Sequence, residues 1–125
     1  MASDQEWTVQ LEVPAESRHL HIVRLTAAGA AAEAGLSAEE VEDVKIAIDE
    51  LCSVYIAATS GQERITLRFE ASSDSLAIEA TAPAKGDLIV DDLARTILDA
   101  TVDTLAVGPD APSGGFRVLK HRRVL

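Results

Sequence analysis

VEDVKIAIDELCSVYIAA, Val41 to Ala58, is the stretch on which the reading of this chain turns. Val41, Val44, Ile48, Leu51, Val54, Tyr55 and Ala58 recur at helical spacing and make a broad apolar stripe. The same segment carries an acidic pair, Asp49-Glu50. A carboxylate on a buried face is costly unless something pairs with it, so an acidic pair inside a largely apolar helix asks for a reason. Upstream, Ser37 and Glu40 stand at the spacing of a capping box, which opens the helix and predicts that it runs to about Thr59.

Working outward toward the N-terminus, Gly35 is a helix stop, and Leu20, Val23, Leu25, Ala27 and Ala31 predict a first helix from Ala15 to about Glu33, weakened by Gly29. WTVQLEV, Trp7 to Val13, alternates as a strand and ends at Pro14. Toward the C-terminus, Ser60-Gly61 reads as a turn and the period then changes to two. Ile65, Leu67 and Phe69 form one strand and Leu76, Ile78 and Ala80 the next, joined by a turn over Ser72 to Asp74. After the break APAKGD, Ala82 to Asp87, the pair Asp91-Asp92 precedes a third helix; as carboxylates at a helix start they cap it and complement its dipole. Thr101 to Val107 reads as a strand, Gly108 to Gly115 as a loop, and Phe116 to His121 as a last strand. The order β-α-α-β-β-α-β-β predicts an α+β fold, a two-layer α/β sandwich with helices on one face of a mixed sheet, in a single domain over residues 1–125.

This order, with EDVKIAIDE leading into the centre of the second helix, resembles the anti-sigma serine-protein kinases of bacteria (RsbW and SpoIIAB type), within the GHKL or Bergerat-fold, histidine kinase-like ATPase superfamily. The resemblance covers nearly the whole chain. In that family the second helix carries E-x-x-x-N, and Glu50 matches its glutamate. The resemblance implies a general base at Glu50 and a Mg²⁺ ligand one turn later on the same face, but that position is Val54, which cannot hold a metal. The family's adenine motif, D-x-G-x-G, corresponds to Ala82-Pro83-Ala84-Lys85-Gly86, where only Gly86 remains. Without the aspartate, the adenine amino group loses its acceptor, at a cost of about 1–3 kcal/mol. The segment before the third helix has no Gly-x-Gly for a phosphate lid, and the family's G-G-T appears as Gly114-Gly115-Phe116. Glu50, Gly86, Gly114 and Gly115 are therefore the residues left of a nucleotide site. ATP and Mg²⁺ follow from the resemblance alone, and the substitutions argue against kinase activity. Glu50 has two readings, a relic of the general base or a solvating side chain. The first helix carries part of the family's sigma-binding surface, which makes Arg18, His21 and Arg24, expected on one helix face, candidates for partner binding; a solvated face is the alternative.

Composition bounds the rest. Hydrophobic residues make up 47% of the 125 but aromatics only 3%, so the core must be built from Ala, Val, Leu and Ile. There are 21 acids against 11 bases, a net charge of −10. Nucleic acid is therefore not expected as a partner, whereas a basic protein surface is. Cys52, the only cysteine, falls in the apolar pattern and reads as an inert buried thiol. His19 and His21 lie two apart in a helical stretch, point in different directions and predict no shared metal. The basic end, Lys120-His121-Arg122-Arg123, reads as a solvated terminus. No stretch suggests a leader or a membrane span, and a cytoplasmic protein is expected. With the resemblance, these features predict an anti-sigma factor: a homodimer that binds an RNA polymerase sigma factor and is displaced by a STAS-domain anti-anti-sigma factor. Two alternatives stand beside it, an active serine kinase of that antagonist and a dimerising module without a sigma partner.

Overall fold

The computed structural model describes residues 6–59, 62–81 and 88–123. Within them the chain forms β1 (Trp7–Pro14), a 3-10 turn (Ser17–His19), α1 (Leu20–Glu33), α2 (Ala38–Ala57), β2 (Arg64–Ala71), β3 (Ser75–Thr81), α3 (Asp92–Thr101), β4 (Thr104–Val107), a second 3-10 turn (Gly108–Asp110) and β5 (Gly114–His121). The sheet order is β1-β2-β3-β5-β4. The expected α+β architecture is present, but the sheet is not mixed: all four pairings are antiparallel. Tight turns account for β2–β3, and the turn after β4 reverses the chain directly into β5. Periodicity reports which face a strand buries, not which neighbour it pairs with.

Period two is explicit in β2, where Ile65, Leu67, Phe69 and Ala71 are buried. With Leu76, Ile78 and Ala80 of β3 and Phe116 and Val118 of β5, they make the floor on which the helices lie. The opposite sheet face carries an ion-paired strip, in which Arg117 reaches Glu70 at 3.3 Å and Glu79 at 3.4 Å. α1 contributes Val23, Ala27, Ala30 and Ala31 to the core, and these small side chains let it lie close against α2. The predicted start of that helix at Ala15 is too early. Ala15 donates its backbone N–H to the Glu63 carbonyl and Glu16 is extended, so the chain leaves β1 before it can turn helical. Gly35 adopts a φ of +86° directly after the helix, as a helix stop requires.

At the start of α2 the Ser37–Glu40 capping box is formed in both directions, at 2.7 and 3.1 Å. Asp91 caps α3 by accepting from the Ala94 N–H at 2.8 Å. Gly114 and Gly115 sit at a bulge where β5 slips against Ala80 and Thr81 of β3. Gly114 has a φ of +81°, and a Cβ on Gly115 would overlap the Ala80 carbonyl and lie 2.6 Å from Thr81 backbone atoms. Ser113 Oγ donates to the Ala80 carbonyl at 2.9 Å and closes this corner. The expected Ser60-Gly61 turn and the motif over Ala82 to Asp87 lie outside the described residues.

Candidate functional site

α2 lies between α1 and α3, and the two acids of the Asp49-Glu50 pair turn to different sides of it. Residues advance about 100° each along a helix, so neighbours cannot share a direction. Asp49 faces α1, where both of its oxygens accept from Arg24 Nε at 3.0 and 2.9 Å. That pair is the reason the sequence pattern asked for. Glu50, half-buried, forms no hydrogen bond or ion pair with any described residue.

The other side of α2 is defined by Asp43. Lys120, buried on β5 at 7% exposure, donates to Asp43 at 3.0 Å and to the Thr101 carbonyl at 2.8 Å. A cation at the C-terminal carbonyl of α3 also offsets the helix dipole there. Glu50 and Val54 follow Asp43 at i+7 and i+11 and share its side, the one toward α3. Tyr55, on the next position, is buried beneath the helix; burial pushes its hydroxyl pKa up while a hydrogen bond from the Thr81 side chain partly offsets this. The end of β3 is thereby tied to the turn of α2 that carries Val54.

For a Mg²⁺-nucleotide this side of α2 is a poor fit. One turn after Glu50 the half-buried side chain is the aliphatic Val54, which offers no oxygen or nitrogen to a metal. Among the described residues no group of three His, Cys, Asp or Glu side chains is placed to hold a metal ion. Gly86 lies outside the described residues, and Gly114 and Gly115 have their backbone reason at the bulge.

The candidate partner residues do not share one face. Arg18 lies in the 3-10 turn before α1 and pairs with Glu16 at 2.8 Å; His21 Nδ1 lies 3.1 Å from the Arg18 carbonyl, and both side chains are exposed. Arg24 turns inward to Asp49, because α2 supplies its counter-charge. Among the large side chains that α1 exposes are the aliphatics Leu25 and Ile22. The basic end is likewise not uniformly solvated. Strand alternation carries Lys120 into the core with Phe116 and Val118, and the Arg123 N–H donates to the buried Glu40 at 2.8 Å. The Lys120–Asp43 contact is the functional-looking ion pair that the KHRR run concealed; extending the period-two pattern of Phe116 and Val118 by one step would have found it.

Cys52 is fully buried. Burial, with the Asp49 charge as a smaller contribution, pushes its thiol up to about 12, so it is no nucleophile at neutral pH.

A family description, Histidine kinase-like ATPase domain, matches residues 13–116. The chain belongs to this family. It is also similar to proteins named Serine-protein kinase RsbW: 31% identical over 108 residues to that of Bacillus velezensis and 30% identical over 108 residues to that of Bacillus subtilis. Each of these alignments covers 80% of this chain and 66% of the relative. A Bacillus cereus relative is 34% identical over 74 residues, covering 58% of this chain and 46% of its own length. The chain thus spans just under two thirds of the longer-matched relatives. Among the described residues, no helix is long and apolar enough to cross a membrane.

Proposed function

We propose that this chain is a cytoplasmic anti-sigma factor that sequesters an RNA polymerase sigma factor by direct binding and does not turn over ATP. The observation that carries the second half is Val54, an aliphatic side chain on the same side of α2 as Glu50, at the position where the family resemblance places a Mg²⁺ ligand. The first half is supported by kinship with the RsbW kinases and by a charge of −10 that suits a basic partner. The surface around α1, with Arg18 and His21 exposed beside Ile22 and Leu25, is the partner-binding face in this reading. Release comes from a STAS-domain anti-anti-sigma factor competing for the homodimer, through partner abundance or another enzyme rather than through phosphorylation by this chain.

The kinase reading has one observation in its favour: Glu50 is retained on the α3 side, uncommitted to any described partner. It needs a metal ligand that Val54 does not provide. Affinity capture from the native cytoplasm after apyrase treatment, read by mass spectrometry, separates the two. A stoichiometric sigma factor recovered without nucleotide supports sequestration; one recovered only after MgATP is restored supports the kinase. Capture of no sigma factor in either condition removes the anti-sigma assignment and leaves the fold.

A further inference from the structure

We infer that two copies of this chain pair through β1, edge to edge and antiparallel, so that their sheets become one. This names the face of the homodimer in the proposed function and rests on that part of it. The two edges of the sheet are unlike, and β1 is the one left open.

Among the described residues, the order β1-β2-β3-β5-β4 gives β1 and β4 a neighbour on one side only. A free edge presents a row of backbone N–H and C=O groups, and proteins that stay apart blunt it with short strands, Pro, bulges or lysines. β4 is blunted in this way: it has four residues and runs straight into Gly108-Pro109. β1 has none of these devices ahead of Pro14. It is eight residues long, pairs with β2 at every position without a slip, and carries no Lys or Arg. Period two puts Val9 on the same face as the buried Val13, yet Val9 is 43% exposed.

A second copy is the occupant because this edge complements itself, as a two-fold interface requires. With the axis at Gln10, Val9 lies opposite Leu11 of the second copy on the helix side, and Thr8 lies opposite Glu12 on the outer side. No like charges meet, and Glu12, the only charge in β1, is already held by Arg64 at 3.3 Å. The first helix fits the same axis. α1 packs on β1 and β2 alike, and strands lie about 4.8 Å apart, so the pairing sets the two α1 helices about 10 Å apart, a packing distance. Arg24 faces α2 through Asp49. Ile22, Thr26 and Gly29 lie roughly 140–200° round the helix from Arg24, on the side away from α2. That side is uncharged; Ile22 is exposed, and a Cβ on Gly29 would meet nothing within 4 Å. A glycine weakens a helix, and here the room beside it is what a second helix would use. Leu25, about 100° from Arg24, stays on the outer surface, open to a further partner.

The test joins light scattering of the full chain to disulfide trapping. Gln10→Cys places two thiols across the axis at a Cα separation of about 5 Å, within reach of a disulfide, and the buried Cys52 does not compete. A dimer is expected, trapped by oxidised glutathione at least about tenfold faster in Gln10→Cys than in Thr104→Cys, on the β4 edge. Val9→Lys, at an exposed position and so tolerated by the fold, should weaken the dimer by about tenfold or more. A dimer that Gln10→Cys does not trap, or that Val9→Lys leaves unchanged, overturns the inference and leaves the homodimer on another face. Equal trapping at position 104 also overturns it. A monomer at every concentration removes the homodimer itself along with this face, whereas sigma capture is decided separately by the apyrase experiment.

Discussion

Glu40 is 2% exposed and serves two backbone donors, the N–H groups of Ser37 and Arg123, at 2.7 and 2.8 Å. The Ser37 N–H is the larger cause that lowers its pKa; the Arg123 N–H and the Lys120 charge add to it, against the opposing effect of burial. A carboxyl whose folded pKa is depressed stabilises fully above its unfolded pKa, and the contribution fades as pH falls through the folded one. Glu40→Gln is therefore expected to cost about 1–3 kcal/mol at neutral pH. That gap should narrow as pH drops below about 4, as denaturant titrations at several pH values would read. Asp49→Ala is expected to be milder, under about 1 kcal/mol, because the Arg24–Asp49 pair is about two-fifths exposed on both sides. The Asp49-Glu50 pair was legible as an oddity in the helix pattern. Its explanation was not, since Arg24 stands on another helix and nothing local joins the two. Cys52 was legible as buried and inert. It should resist thiol reagents at pH 8 in the folded protein and react at once in denaturant.

At the scale of elements, the α2 cap, the α3 cap and the core faces of β2 and β3 could be read from residue types, because each depends on near neighbours. Strand order and the antiparallel β3–β5 pairing could not, because they depend on residues far apart in sequence. Two contacts of that long-range kind give predictions. Gly115→Ala would push a Cβ into the backbone of Ala80 and Thr81, which cannot rotate away, and is expected to cost about 1–3 kcal/mol and to broaden β3–β5 amide signals. Lys120→Met keeps the stem but strands Asp43 and the Thr101 carbonyl. A loss of about 1.5–3 kcal/mol is expected, with earlier hydrogen exchange in the last turn of α3 than in α1.

For the whole molecule, the fold is that of the histidine kinase-like ATPase family, and the α3-facing side of α2 presents the carboxylate of Glu50 and, one turn on, the aliphatic Val54. The architecture followed from element order and from the second helix. The placement of Arg24 did not, because its counter-charge Asp49 stands on another helix and draws it away from Arg18 and His21. On the proposed reading, the domain keeps the fold without the metal-nucleotide chemistry. Isothermal titration of the purified protein with MgATP tests it most directly. No saturable, Mg²⁺-dependent heat is expected up to millimolar nucleotide. Binding in the micromolar range that needs Mg²⁺ and disappears in Glu50→Ala would contradict it.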